Sequence, residues 1–353
     1  MEAFSLTNSF DVNYCNNFTW EDIEKKLITN NLFDIYSDKR YIELYTGNKK
    51  LDFFYYEENS DFFVFPYIKK SLPFYSKYYD IESVYGYSGI LSNSKNKNFL
   101  ERAWKNFEID AKYKNIVCGF VRFNPFFENH KLIKNFNFKV LKEKKIIFID
   151  LQKKIEEIVK DFSPDNKNKI NKIKKFNITV SDHYSEEDLN EFKLFYNNRM
   201  KEVKAKEMYF FKEDYFKKFL LLKNFFTLFK VKYENINIGM SLVIHYNKIA
   251  HYHLSACDKN YFKYAPNNIL RYFAIKFFKE KKYNILNFGG GVTSEDDDTL
   301  LAFKSRFSKQ YKYFYIGKFI FNQEIYNNET KNWETKNINK KDNYKNYLQK
   351  YRL

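Results

Sequence analysis

Residues 226–256 read FTLFKVKYENINIGMSLVIHYNKIAHYHLSA, and the architecture can be worked out from this stretch outward. Three runs in which apolar side chains recur at alternate positions, Phe226–Tyr233, Ile238–Tyr246 and Ile249–Ala256, mark β-strands with one face toward a core. The breaks between them, Glu234–Asn237 and Asn247-Lys248, are short enough for hairpins, so the segment is an antiparallel meander. A helix follows. Pro266 suits its first turn, Ile269, Leu270, Phe273, Ala274, Phe277 and Phe278 recur at helical spacing, and Arg271, Lys276, Lys279 and Lys281 fall on the opposite face. Beyond it, Tyr283–Phe288 reads as a short buried strand ending in Gly289-Gly290-Gly291. Asp296–Phe307 reads as a short helix with acidic residues in its first turn, and Tyr313–Phe321 as a last strand. Upstream, Ser185–Lys204 and Lys212–Leu222 have helical spacing.

This half therefore runs helix, helix, three strands, helix, strand, helix, strand, the element order of a GNAT-type acyltransferase domain. The first half repeats the later part of it more faintly: strand Phe62–Ile68, helix Asn98–Ala111, strand Asn115–Phe123, a helical stretch near Pro125–Asn135 and strand Lys145–Ile149. The pattern implies an internal duplication and an α+β fold with mixed sheets, two GNAT-like domains in tandem. The seam falls near Asp150, because Leu151–Phe162 reads as a new amphipathic helix and Ser163-Pro164-Asp165-Asn166 as turn chemistry. The expected division is residues 1–150, 151–322 and a polar tail, 323–353.

At 353 residues, two domains are the starting expectation. Aromatic residues make up 21%, with 40 Phe and 31 Tyr against 9 Gly and 5 Pro, a composition that excludes disordered and fibrous classes. The net charge of +17 favours polyanionic partners such as tRNA, nucleotide-linked sugars or anionic membrane surfaces. The abundance of Lys, Asn, Ile, Phe and Tyr is also what AT-rich coding writes, so charge alone names no partner. No apolar run is long enough to span a bilayer, and MEAFSLTNSF lacks a basic-then-apolar signal pattern, which points to the cytoplasm. Cys15, Cys118 and Cys257 are far apart, without paired metal spacing, and read as reduced structural thiols.

Four stretches resemble the Fem-type aminoacyl- and acyltransferases and their GNAT relatives in envelope-polysaccharide loci. Tyr85-Gly86-Tyr87-Ser88-Gly89, with Phe120-Val121-Arg122-Phe123-Asn124-Pro125 after it, resembles the tyrosine–glycine loop and following strand of that family's first domain. His251-Tyr252-His253-Leu254-Ser255-Ala256, followed by Ala265-Pro266-Asn267-Asn268, resembles the strand leading into the long helix of the second. Leu286-Asn287-Phe288-Gly289-Gly290-Gly291 with Leu301-Ala302-Phe303-Lys304-Ser305-Arg306-Phe307 is the strongest stretch. The fourth is the basic run Lys167–Lys175 before Ile178, which resembles the opening of the second domain. The resemblance covers roughly residues 60–320. Three departures matter: no heptad pattern long enough for the family's coiled-coil arm is present. The basic run (Lys167, Lys169, Lys172, Lys174 and Lys175) has lysines where an arginine is expected, which loses bidentate phosphate binding. No Gly-rich pyrophosphate loop follows the meander, which weighs against acetyl-CoA.

Acyl transfer to an amine needs a neutral amine, donors aimed at the developing oxyanion, and stabilisation of the leaving group. The resemblance places Lys304 at the reaction centre, near phosphate or the tetrahedral intermediate; the plain alternative is a solvated helix lysine. Gly289, Gly290 and Gly291 permit positive φ and close ligand approach, or form an ordinary tight turn. His251 and His253 alternate on a strand and share a face with Ser255, with Tyr252 opposite. His253 is the candidate general base, against the commoner case of a half-buried, hydrogen-bonded histidine. Asn267 and Asn268 cap the helix or touch substrate. Tyr85, Tyr87 and Arg122 are candidates for binding a sugar or diphosphate of the acceptor in the first domain. The acidic run Glu295–Asp298 is accounted for by the helix macrodipole, and no metal is expected.

The leading reading is an acyltransferase forming an amide on an amino sugar or peptide of a cell-envelope precursor such as that of peptidoglycan. No cofactor is expected to be tightly bound, and aminoacyl-tRNA or acyl-CoA serves as co-substrate. Two alternatives stand beside it: a conventional acyl-CoA-dependent N-acetyltransferase for surface-polysaccharide sugars, and a non-catalytic GNAT pair that binds RNA or a nucleotide sugar.

Overall fold

A computed structural model describes residues 18–46, 51–133, 136, 138–171, 176–211 and 215–353. In chain order the first elements are α1 (Trp20–Thr29), α2 (Lys39–Thr46), β1 (Leu51–Glu58), β2 (Asp61–Ser71), β3 (Tyr79–Glu82), β4 (Leu91–Ser92), α3 (Lys97–Tyr113), β5 (Ile116–Arg122) and β6 (Lys139–Asp150). Then come α4 (Ile155–Lys160), α5 (Pro164–Ile170), β7 (Ile178–Ser181), α6 (Glu186–Glu202), α7 (Tyr215–Lys218), β8 (Phe226–Tyr233), β9 (Ile236–Tyr246) and β10 (Ile249–Cys257). The chain closes with α8 (Pro266–Glu280), β11 (Ile285–Gly290), α9 (Thr299–Ser305), β12 (Tyr311–Ile320) and α10 (Gln323–Lys336). The fold is α+β with mixed sheets, as the sequence pattern implies. The chain divides into two compact units: Met1–Phe33 with Asn48–Leu141 and Ile316–Leu353, and Asp34–Gly47 with Lys142–Tyr315.

In the first unit, β1 and β2 form a hairpin from Leu51↔Ile68 to Glu58↔Asp61, turned at Asn59 with φ +56°. β3 pairs antiparallel with β2 and parallel with β5, and the C-terminal half of β12 lies antiparallel to β5. Aromatic packing explains the composition here. Phe107 of α3 meets Phe54, Phe65 and Phe319, and Trp104 stacks on Phe138 at 5.2 Å. Gly119 is required by this packing, because a Cβ there would meet the Phe319 ring at 2.0 Å.

The segment from about Asn322, read as a polar tail, is ordered and packed into this unit. Its few apolar positions are enough: Trp333, Leu348 and Tyr351 are buried with Leu72, Val117 and Cys118. Arg352 grips buried Asp80 through Nε at 2.7 Å and Nη2 at 2.6 Å, and Nη2 also donates to the carbonyls of Lys70 and Ser71.

The second unit contains the meander. β7, β8, β9 and β10 are antiparallel neighbours, β10 runs parallel to β11, and β11 runs antiparallel to the Ile146–Asp150 part of β6. α8 covers one face, burying Ile269, Leu270, Ala274, Ile275 and Phe278 with Phe229, Val243, Ala250 and Leu286. Four local readings change. Only Ile155–Lys160 of the expected Leu151–Phe162 helix is helical. Ser163-Pro164-Asp165-Asn166 starts α5 instead of making a free turn: the Ser163 hydroxyl accepts from the Asn166 N–H, and Pro164 fills the first helical position, where no N–H is needed. The described part of Lys212–Leu222 is one α-turn followed by a 3₁₀ helix, Phe219–Phe225; Lys212–Asp214 lie outside the described residues. Helix α9 begins only at Thr299, with Asp298 as its N-cap.

Candidate active site

The site follows from how β10 and β11 pair. Their parallel register runs from Ile249↔Ile285 to His251↔Asn287 and stops. Beyond it β10 continues with β9 as far as Cys257↔Gly239, while β11 continues with β6 as far as Gly290↔Ile146. The two strands part after His251 and Asn287. Strands that part in mid-sheet leave main-chain donors and acceptors without ladder partners, so the gap can take a ligand.

At the point of parting, a hydrogen-bonded chain fixes the glycine turn. Buried Asp34 accepts from His251 Nε2 at 3.1 Å, and His251 Nδ1 lies 3.2 Å from Asn287 Nδ2. Asn287 Oδ1 accepts from the Gly289 N–H at 2.8 Å, so its amide NH₂ faces His251 and the imidazole carries its proton on Nε2. Only Gly289 of the three glycines has positive φ, +72°. The other two are needed for space: a Cβ on Gly290 would meet the Lys145 carbonyl at 2.7 Å, and one on Gly291 would meet Asp298 Oδ1 at 2.3 Å. Asp298 ties the turn to α9, accepting from the N–H groups of Val292, Thr293 and Leu301 at 2.8–2.9 Å.

Lys304, on α9, is buried, and its Nζ donates to the Gly290 carbonyl at 2.6 Å. Burial first, and the nearby charge of Arg271 second, bring its pKa from 10.5 down to about 7. It is not a solvated helix lysine. A lysine at that value is present in both protonation states near neutral pH, as an acid–base or charge-stabilising role requires.

Arg271, placed by helical spacing on the polar face of α8, is buried. Its guanidinium lies 4.4 Å from the Tyr252 ring centroid and 4.9 Å from that of Phe303, so aromatic faces replace its hydration. The usable signal was its place three, four and seven residues before Ala274, Ile275 and Phe278.

A β-bulge decides which side each β10 residue faces. Tyr252 opposes Val243 and Leu254 opposes Leu242, so His253 is the extra residue. Ser255 opposes Ser241 and lies on the Tyr252 face, where strict alternation had put it with His253. On the other face, half-buried His253 meets the hydroxyls of Tyr215 at 2.8 Å and Tyr45 at 3.3 Å. Burial holds its pKa down to about 3, so the imidazole is neutral at physiological pH. Asn267 and Asn268 do not cap α8. The main-chain and side-chain oxygens of Asn267 face Arg271 Nη1 at 3.3–3.4 Å, and Asn268 donates to Asn166 at 2.8 Å.

The structure thus brings Lys304, Tyr252, Ser255, Asn267 and Gly289–Gly291 together around the parting strands, with Asp34, Asn287 and Arg271 added to what the sequence had singled out. Tyr85, Tyr87 and Arg122 belong to the first unit. Asn129 joins the loop to the strand: its Nδ2 donates to the carbonyls of Ser88 and Ile90, and its Oδ1 accepts from the Asn124 N–H. Arg122 Nη1 donates to the Ser83 carbonyl at 3.2 Å. Of the basic run, Lys169 pairs with Asp165 and Lys167 donates to the Lys160 carbonyl, while Lys172, Lys174 and Lys175 lie outside the described residues. Among the described residues there is no group of three or more His, Cys, Asp or Glu able to hold a metal, and no helix long and apolar enough to cross a membrane.

With this geometry in view, comparison with known proteins is decisive for one segment. Residues 220–328 match the FemAB family. The match runs from β8 to α10 and contains the parting strands, the glycine turn and Lys304. Among solved structures, FemX is similar at a TM-score of 0.65 and 15% identity, over 82% of this chain and 92% of that one. L-PGS from Bacillus licheniformis is similar at 0.57 and 16% identity, over 88% and 94%. The C-terminal domain of a putative lysylphosphatidylglycerol synthetase from Agrobacterium fabrum is similar at 0.56 and 10% identity, over 91% and 97%. At these identities the structural likenesses speak for the fold alone. No curated protein matches the chain at a significant level of sequence similarity. The Fem-type resemblance holds, in sequence over residues 220–328 and in fold over most of the chain, and the FemAB match marks a transferase.

Proposed function

We propose that the chain transfers an acyl or aminoacyl group to an amine of a cell-envelope precursor, forming an amide, with aminoacyl-tRNA or an acyl thioester as donor. The observation that carries this reading is Lys304: a buried lysine with a pKa of about 7, held against the Gly290 carbonyl where β10 and β11 part, inside the FemAB match. In the reaction the amine attacks the donor's carbonyl carbon, the C–N bond forms, the carbonyl oxygen takes the negative charge, and the bond to the leaving oxygen or sulfur breaks. The ammonium form of Lys304 stabilises that charge and gives a proton to the leaving group; its neutral form accepts one from the amine. His253, neutral and held by two tyrosine hydroxyls on the opposite face of β10, is not the general base on this reading. On this reading the second unit carries acyl transfer, and Tyr85, Tyr87 and Arg122 of the first unit bind the acceptor.

The test is turnover. Purified protein is mixed with charged tRNA or acyl-CoA and with amino-sugar and peptide precursors, nucleotide-linked and lipid-linked, and amide formation is measured. Lys304→Met is expected to lower the rate by about 10²–10³-fold, the usual effect of removing a donor to a developing oxyanion. Full activity in the folded variant removes Lys304 from the chemistry.

A further inference from the structure

The face of β10 that carries Tyr252 and Ser255 holds more donors than the protein itself uses. Arg271 Nη1 has only the two long contacts to Asn267, and its Nε, buried from solvent, has no hydrogen-bond partner. No carboxylate lies within ion-pair distance of its guanidinium among the described residues. The Tyr252 hydroxyl and the Ser241 hydroxyl are likewise buried without partners. Lys304, the second cation here, donates only to the Gly290 carbonyl. Two cations and two hydroxyls have therefore been taken out of water with no carboxylate paired to Arg271 and only the charge of Asp298, itself held by main-chain N–H groups, acting on Lys304. A buried donor left unmade costs about 1–3 kcal/mol, and an unpaired buried charge more, so such a cluster is complementary to a ligand that brings acceptor oxygens and negative charge.

The geometry narrows that ligand. Tyr252 and Phe303 cover the faces of the guanidinium, which leaves its Nε–Nη2 edge as the free part, the fork that receives two oxygens of one oxyanion. Asp298 is already engaged by three main-chain N–H groups of the glycine turn and α9. We infer that Arg271 and Tyr252, together with Lys304, form a seat for a phosphate group of the acyl donor, Arg271 gripping two oxygens side-on and Tyr252 donating to a third. Phosphate fits better than carboxylate because it offers at least one more acceptor oxygen to a site with two cations. The word donor rests on the acyl-transfer reading above; the seat itself does not.

The experiment observes the Arg271 Nε–H directly in ¹⁵N-labelled protein, with the signal assigned through Arg271→Lys. The protein is titrated with inorganic phosphate, with acetate, with the dinucleotide cytidylyl-adenosine as a phosphodiester of a tRNA 3′ end, and with coenzyme A. The inference expects saturable shifts with phosphate and with one of the two donor fragments, and that fragment identifies the source. Tyr252→Phe should weaken binding by about 3–10-fold as read by the Arg271 signal, and Arg271→Met by about 10–100-fold as read by calorimetric titration of the same ligands. Should the arginine variant not fold, Tyr252→Phe still reports through the native Arg271 signal. Shifts with acetate but not phosphate overturn the phosphate assignment, and no shift with any of the four overturns the seat. Phosphate binding without acyl transfer would instead overturn the proposed function and leave the seat standing.

Discussion

Lys304→Met removes a charge while keeping the length of the side chain, and the structure makes the outcome quantitative. Lys304 is 9% exposed, and its pKa is brought from 10.5 to about 7 by burial and then by Arg271. At about 1.4 kcal/mol per pH unit, that depression sets roughly 4–5 kcal/mol against the charged form in the folded state. A lysine whose folded value lies below its unfolded value binds fewer protons folded than unfolded between about pH 7 and 10.5. Stability of the second unit therefore rises with pH across that window and is lost as pH falls toward 7. The variant has no such group and gives up one hydrogen bond, about 1 kcal/mol. It should be more stable than the parent by roughly 3 kcal/mol at pH 7, with the difference closing toward pH 10. Cys257 supplies the assay, because this buried thiol lies in the same unit and reacts only when the unit opens. Its labelling is followed against urea at pH 7, 8 and 9, with buried Cys118 of the first unit as an internal control. Equal pH dependence of Cys257 protection in parent and variant would refute a buried lysine near neutrality.

Three further outcomes follow. Asp298→Ala should lower the stability of the second unit by about 1–3 kcal/mol through loss of the α9 cap and the turn, read by Cys257 labelling. Burial raises the Asp298 carboxyl, but the N–H groups of Thr293, Leu301 and Val292 outweigh it and hold its pKa below 3.8, so its contribution is present above that value and disappears as pH falls through the folded value; the acid limb of a stability profile should flatten in the variant. Asn287→Ala should free the Gly289 N–H and remove the donor to His251 Nδ1 while Asp34 keeps the proton on Nε2, seen in imidazole ¹⁵N spectra as a shifted Nδ1 with Nε2–H retained; an unchanged Nδ1 would mean that Asn287 does not donate to it. Arg352→Ala leaves Asp80, 1% exposed, without its partner and should cost about 3–5 kcal/mol in the first unit, measured by faster labelling of Cys118 beside Tyr351.

The meander, α8 and the strand before the glycines could be read from Phe226–Phe288 because alternation and helical spacing are local properties. The bulge at His253 could not, since it depends on how β10 meets β9, and so Ser255 was put on the wrong face. Arg271 was assigned to the polar side because helical spacing alone takes a cation to be solvated; the rings of Tyr252 and Phe303 that receive it come from β10 and α9. Asp34 was missed for a similar reason: it sits 217 residues from His251 in the chain, and nothing near it in sequence signals a partner. The polar look of 323–353 hid Trp333, Leu348 and Tyr351, three side chains whose burial needs only the edge of one unit.

The most direct test of transferase action is donor discharge. The parent protein and Lys304→Met are incubated with charged tRNA and with acyl-CoA, each with and without envelope precursors. Precursor-dependent loss of one donor, matched by amide product and slowed at least about 10²-fold in the folded variant, is the predicted result. Stable donors and no amide product in the parent would contradict the account.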